Sequence, residues 1–204
     1  MKNNKKLIYL NSLFIMSLII ANITAGKIIS IFGLVVPAAV VAYAITFLCT
    51  DVIGELYGKE EANATVKLGF VIQIISMILI FLAILLPPAP FMREFNVSFK
   101  MVLGQSFRTI IASLIAYMIS QANDVFIFHK LKEKTNGKYK WLRNNVSTIL
   151  SQTIDTSIFI TIAFYGVVPN LLALVFGQLT IKVILALLDT PFFYLLTRTK
   201  EKTL

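Results

Sequence analysis

Six apolar stretches divide this sequence, and each is long enough to cross the hydrocarbon core of a bilayer. A transmembrane helix needs about 20 mostly apolar residues, since each residue advances it by about 1.5 Å. The chain is also 57% hydrophobic and only 14% charged over 204 residues, unlike a soluble domain. The predicted helices cover residues 7–24, 34–57, 64–86, 104–129, 146–166 and 171–196. We therefore predict an all-α, polytopic membrane protein with six transmembrane helices in a single transmembrane domain over residues 1–204.

Lys and Arg are distributed unevenly between the two sides that this topology defines. Of the 19 basic residues, 14 fall on one side, in the N-terminal segment, residues 58–67, residues 130–145 and the C-terminal tail. Cytoplasmic loops are enriched in Lys and Arg, so both termini are predicted to be cytoplasmic, in a multi-pass protein of the cell (inner, cytoplasmic) membrane. The same topology explains the net charge of +9, so this charge does not indicate nucleic-acid binding. Membrane lipid is the expected contact of these basic residues.

The motifs of several catalytic and metal-binding classes are missing from the sequence. There is no G-x-x-x-x-G-K-[ST] phosphate loop and no G-x-S-x-G nucleophile turn. One His and one Cys (Cys49) cannot form a zinc cluster or an intrachain disulfide. We therefore predict that the protein is not an enzyme and that it holds neither a metal nor a cofactor.

A polar face runs along the fifth predicted helix. Ser147, Ser151 and Asp155 are spaced by four residues, so they lie on one helical face, with Gln152 beside them. Asp155 falls about midway along the apolar span, where an unpaired carboxylate is costly and a lipid-facing one is hardly tolerated. These side chains are therefore expected to face the interior of the helix bundle.

A similar pattern occurs in the fourth predicted helix. The motif Ser120-Gln121-x-x-Asp124 recurs as Ser151-Gln152-x-x-Asp155, with a Phe four residues after each Asp. The two copies lie on consecutive antiparallel helices. They indicate a polar seam between helices four and five, although so short a repeat also arises by coincidence.

The sixth predicted helix carries a cation at membrane depth. Gln178, Lys182 and Asp189 lie within about 40° of one another on an ideal helix. Lys182 and Asp155 thus both have reason to face the interior. A purely structural ion pair is one explanation. A buried pair is weak evidence for stability, however, which favours a functional one.

The ordered motifs of this chain resemble those of the queuosine precursor transporter family, the vitamin-uptake-like integral membrane proteins. They are Thr50-Asp51-Val-Ile-Gly-Glu55-Leu-Tyr57-Gly58-Lys59, Ser120-Gln121-x-x-Asp124 and Trp141-Leu-Arg143-Asn144-Asn145-x-Ser147-Thr148-x-x-Ser151-Gln152-x-x-Asp155-Thr156. The likeness extends over about residues 11–196. It implies import of a 7-deazaguanine (7-cyano-7-deazaguanine, 7-aminomethyl-7-deazaguanine or queuine) for queuosine salvage into tRNA. It also implies six helices, loosely similar to the substrate-binding subunits of energy-coupling-factor transporters.

Such a substrate fits the polar residues at membrane depth. One carboxylate can accept hydrogen bonds from N1–H and the exocyclic amine, while a Lys or an amide donates to O6. The predicted substrate-binding residues are Asp155, Gln152, Gln121, Asp124, Lys182 and Ser151. The residues predicted to serve a gate or proton coupling are Asp51, Glu55, Asp189 and Arg108. Asp51 and Glu55 could instead be ordinary charged residues that are solvated at a helix end. Arg108 could instead extend its side chain to the outer membrane interface.

Two other functional classes stay open at this point. The same architecture suits a transporter for another small heterocycle, such as a vitamin or a purine. It also suits a substrate-binding subunit that needs an external ATPase module. The sequence does not decide between a monomer and a homodimer.

Overall fold

The structure, a computed structural model, describes residues 2–135 and 140–197. The protein is mostly helical (84%). The described residues form six long helices, α1 (Lys2–Thr24), α2 (Val40–Tyr57), α3 (Lys59–Leu85), α4 (Arg93–Lys134), α5 (Lys140–Phe164) and α6 (Leu171–Thr197). A short 3₁₀ turn at Pro90–Met92 precedes α4.

A β-hairpin between α1 and α2 corrects the all-α prediction. Strands β1 (Ile28–Ile31) and β2 (Leu34–Pro37) pair antiparallel, with Ile31 opposite Leu34. The predicted helix over residues 34–57 therefore begins six residues too early. The reason is local, since β-branched Ile and Val favour strands. In addition, the two turn residues Phe32 and Gly33 have φ of 50° and 81°, as tight hairpin turns require.

Helix α4 is longer than predicted. It contains 42 residues and therefore measures about 63 Å, roughly twice the thickness of a hydrocarbon core. The predicted helix over residues 104–129 is only its central part. Residues 93–103, which precede the predicted helix, are helical and continue into the rest of α4 without a break.

The helices pack around a common centre. Helix α2 contacts α1, α3 and α6, while α4 contacts α3 and α5, and α5 contacts α6. Helix α1 also packs against α3 and α4. The hairpin lies against α6, where Gly177 allows the backbone carbonyl of Val35 to approach so closely that no Cβ would fit. Small residues at such crossings are typical of membrane helix bundles.

The start of α1 and the end of α6 meet at one end of the bundle. Lys6 Nζ donates a hydrogen bond of 2.8 Å to the carbonyl oxygen of Leu196, which joins the first turns of α1 to the last turn of α6. Among the described residues, four helical segments have the length and hydropathy of a membrane span: Lys5–Thr24, Val40–Tyr57, Lys59–Leu85 and Pro90–Ser120. Shorter apolar helical stretches cover Ile149–Phe164 and Leu171–Leu185. The chain is therefore built as a multi-pass membrane protein.

Candidate binding cavity

All six helices contribute to a cavity of about 250 Å³ in the middle of the bundle. Its volume lies just below the roughly 300–1,000 Å³ of pockets for drug-sized ligands, so it suits a small solute. The polar residues that line it are Thr46, Thr50, Gln73, Ser113, Ser120, Ser151, Gln152, Asp155, Gln178 and Lys182. The aromatic residues that line it are Phe14, Tyr43, Phe47, Phe70, Tyr117 and Phe159.

An ion pair between α5 and α6 forms the charged part of this lining. Lys182 Nζ lies 3.3 Å from Asp155 Oδ2. It also donates to Gln152 Oε1 at 3.1 Å and to Thr156 Oγ1 at 3.0 Å. An ammonium group has three N–H donors, so these three acceptors satisfy it completely. The periodicity of α5 explains the arrangement, because residues 152, 155 and 156 fall on one face.

Two amide oxygens of the cavity lining have no hydrogen-bond partner among the described residues. Gln73 and Gln178 are 1% and 5% exposed, and in each the Oε1 atom is buried without a hydrogen bond. Buried polar atoms are usually paired, and those that are not call for an explanation. A donor-rich ligand in the cavity would supply one.

Aromatic rings provide flat surfaces beside these polar groups. Phe70 of α3 and Tyr117 of α4 have their ring centroids 4.4 Å apart. Tyr43 and Phe47 of α2 are nearly parallel, at 27° and 6.4 Å. The rings of Tyr43, Phe47 and Phe159 are suited to stacking on a flat ligand. All three line the cavity.

The structure brings together four of the predicted substrate-binding residues. Ser151, Gln152, Asp155 and Lys182 all line the cavity, and Ser120 of the repeated motif lines it too. The side chains of Gln121 and Asp124, and that of Asp189 among the gating candidates, lie outside the described residues.

The other gating candidates do not line the cavity. Asp51 and Glu55 are exposed near the C-terminal end of α2, although neighbouring Thr50 reaches the lining. Arg108 of α4 binds the end of α5, with Nε donating to Ile162 O at 2.6 Å and Nη2 to Tyr165 O at 2.7 Å. It satisfies carbonyl groups that a helix leaves unpaired at its C-terminus.

Sequence reasoning did not predict Gln73, which lines the cavity, or Thr156, which accepts a hydrogen bond from Lys182. Gln73 was not among the predicted site residues, and the helix around it is otherwise nearly all apolar. The signal was nevertheless present, because a lone amide at membrane depth is unusual in the same way as Asp155. Thr156 gave no such signal, since threonine often bonds only to the carbonyl groups of its own helix.

Comparison with known proteins places the chain in a family. A family profile described as "Putative vitamin uptake transporter" matches residues 37–196. A Bacillus subtilis protein named "Probable queuosine precursor transporter" is 30% identical over 177 residues, which cover 85% of this chain and 77% of that protein. A Haemophilus influenzae protein of the same name is 31% identical over 121 residues, or 58% of this chain and 48% of that protein. No solved structure matches significantly. Because the profile covers most of the chain, this protein belongs to the vitamin uptake transporter family, and the resemblance seen in its motifs is confirmed.

Proposed function

We propose that this protein imports queuosine precursors, 7-deazaguanines such as 7-cyano-7-deazaguanine, 7-aminomethyl-7-deazaguanine or queuine, across the cytoplasmic membrane. One observation carries the proposal. A Lys182–Asp155 pair at 3.3 Å borders a cavity that all six helices line. Charged residues inside membrane spans commonly mark substrate or ion pathways. The names of the two relatives agree with this proposal.

Six spans within one transmembrane domain, with both termini in the cytoplasm, form the topology of this proposal. The Lys6–Leu196 hydrogen bond supports it, because an even number of spans returns the chain to the side where it began. The apolar stretches of α5 and α6 serve as the fifth and sixth spans. In the proposed orientation the basic segments lie on the cytoplasmic side.

The cavity can bind a 7-deazaguanine through an edge and two faces. The Asp155 carboxylate accepts from N1–H and the exocyclic amine of the base. Lys182 or Gln152 donates to O6; donation by Lys182 requires one of its three existing bonds to be exchanged. Rings such as Tyr43 and Phe159 cover the faces. When the cavity is empty, Lys182 neutralises Asp155, so no bare charge is left at membrane depth.

Transport rather than catalysis is the activity that we propose. Gln121 and Asp124 are proposed to extend the substrate site toward the cytoplasm, in line with their motif. Asp51, Glu55 and Asp189 are proposed to serve a gate or a proton step. The contacts of Arg108 with α5 favour a role in holding the outer end of the bundle together.

A second candidate function follows from the family description, which names vitamin uptake. In this alternative the cavity takes another small heterocycle, such as a vitamin or a purine, and an external ATPase module supplies energy. A homodimer is compatible with either function. Purification of the protein in mild detergent would settle the partners, because an ATPase subunit would accompany it only in the alternative.

Uptake in cells that cannot make queuosine tests the proposal. Each precursor is supplied at low concentration, and queuosine in tRNA is scored with and without this protein and with and without a protonophore. Restored tRNA modification is expected for at least one 7-deazaguanine. Failure with every precursor, in cells where the protein is present in the membrane, would refute the function. Loss of uptake with the protonophore would identify proton coupling.

A further inference from the structure

A buried amide on α3 distinguishes this helix from the scaffold that its sequence suggests. Gln73 is 1% exposed, lines the cavity, and has an Oε1 atom without a partner among the described residues. A buried polar group that lacks a hydrogen bond lowers stability, so an apolar residue would serve a scaffold better. The amide therefore has a use that the empty cavity does not show.

Gln73 enters the cavity from a different wall than the ion pair. Helix α3 packs against α1, α2 and α4, whereas Asp155 and Lys182 project from α5 and α6. Phe70 lies one turn earlier on the same face of α3 and packs against Tyr117, with ring centroids 4.4 Å apart and the rings tilted by 53°. A flat ligand that places one edge on Asp155 can thus meet Gln73 with a second edge.

The chemistry of a primary amide specifies what that second edge must contain. The amide offers one acceptor and two donors side by side, and rotation about its last torsion exchanges them. Its complement is therefore a neighbouring N–H and bare nitrogen. A free 7-deazaguanine base, once N1–H and its exocyclic amine are bound to Asp155, presents such a pair in N9–H and N3. A nucleoside of the same base lacks the N9–H and carries a sugar there.

We propose that Gln73 reads the N9–H/N3 edge of the base, so that the carrier selects free bases over N9-substituted ones. This inference rests on the proposed function. The Oε1 atom of Gln178 also has no hydrogen-bond partner in the described part of the chain, but Gln178 lies one turn from Lys182 on α6 and thus serves the other edge of the ligand. It provides a matched comparison, because the same substitution there should not alter the preference for an unsubstituted N9.

Competition in the uptake assay tests this assignment. Labelled 7-cyano-7-deazaguanine is the substrate, and its unlabelled form and the N9-methyl derivative are the competitors. In the wild-type protein, N9-methylation should weaken competition by about tenfold or more, as expected for one lost hydrogen bond and a steric clash. In Gln73→Leu, the KM for the free base should rise about tenfold and the two competitors should become nearly equal. In Gln178→Leu, both competitors should compete less strongly, while the ratio of their potencies stays at the wild-type value.

Thermal unfolding in detergent separates recognition from folding. Gln73→Leu should be at least as stable as the wild-type protein when empty, because it removes an unpaired buried amide. It should also lose most of the stabilisation that the free base gives. If this variant is poorly folded, Gln73→Met offers similar length without polar atoms. A wild-type ratio of the two competitors in a folded Gln73 variant would overturn the assignment. Absence of any 7-deazaguanine uptake by the wild-type protein would instead overturn the proposed function.

Discussion

The Lys182–Asp155 pair should couple energetically, and a double-mutant cycle can measure it. At 3.3 Å, with an effective dielectric constant of about 20, two unit charges attract by about 5 kcal/mol. Desolvation opposes this attraction, and removing one member of a buried pair typically costs about 3–5 kcal/mol. The side chains remain 17% and 25% exposed, so we expect about 2–3 kcal/mol for Asp155→Asn or Lys182→Gln alone.

The double variant Asp155→Asn/Lys182→Gln should be more stable than the sum of the single changes predicts. It leaves no unpaired charge, and amides can still bond to Gln152 and Thr156. A coupling of about 2 kcal/mol corresponds to about 4–8 °C in the midpoint of thermal unfolding for a chain of this size. Thermal unfolding of the purified proteins in one detergent measures all four corners of the cycle.

Uptake should not follow this recovery of stability. Asp155→Asn keeps the size of the side chain but loses the carboxylate that we propose accepts the two N–H donors of the base, so transport should be abolished while the protein stays inserted. The double variant should be stable yet inactive. Normal uptake by Asp155→Asn would remove Asp155 from the binding site. Coupling within about 0.5 kcal/mol of zero would show that the observed contact is not an energetic pair.

Three further substitutions test contacts outside the cavity. Arg108→Met should lower the stability of the protein by about 2 kcal/mol without raising KM, because two carbonyl groups at the end of α5 lose their donor. An altered KM with unchanged thermal unfolding would indicate a gate instead. Gly177→Ala should destabilise the protein by about 1–3 kcal/mol, because the added Cβ meets the carbonyl of Val35. Gly104→Ala is the control and should be neutral or stabilising, because the space around Gly104 is open. Equal effects of the two substitutions would refute this packing. Phe32→Gly should stabilise the protein by about 1 kcal/mol, because φ of Phe32 is 50° and its ring is 99% exposed. A lower midpoint of thermal unfolding would show that the ring makes a contact of its own.

Local patterns predicted most of the helical segments and part of the site. Apolar runs of membrane length gave the positions of the helices. Spacing within one helix placed Gln152 beside Asp155, and Gln178 on the face of Lys182, and all four residues line the cavity. The hairpin was missed because the apolar run of residues 34–39 was joined to α2, although the β-branched residues and the turn at Gly33 were visible.

Contacts between distant parts of the chain were beyond sequence reasoning. Arg108 was assigned to an entrance or to the interface, but its partners are carbonyl groups 54 and 57 residues away, at the end of a neighbouring helix. Thr156 completes the bonding of Lys182 across 26 residues. Neither partner is marked by spacing, because these bonds depend on how the helices cross.

The sequence by itself determined that the chain carries the apolar helices of a multi-pass membrane protein and that Asp155 and Lys182 lie within apolar stretches. These are properties of single segments, set by the rise of a helix and the thickness of a bilayer. Only the tertiary structure decided that the two charges meet, that all six helices enclose one cavity, and that Gln73 enters it from another wall. Burial and hydrogen bonding between separate helices arise from their packing, which no local pattern records.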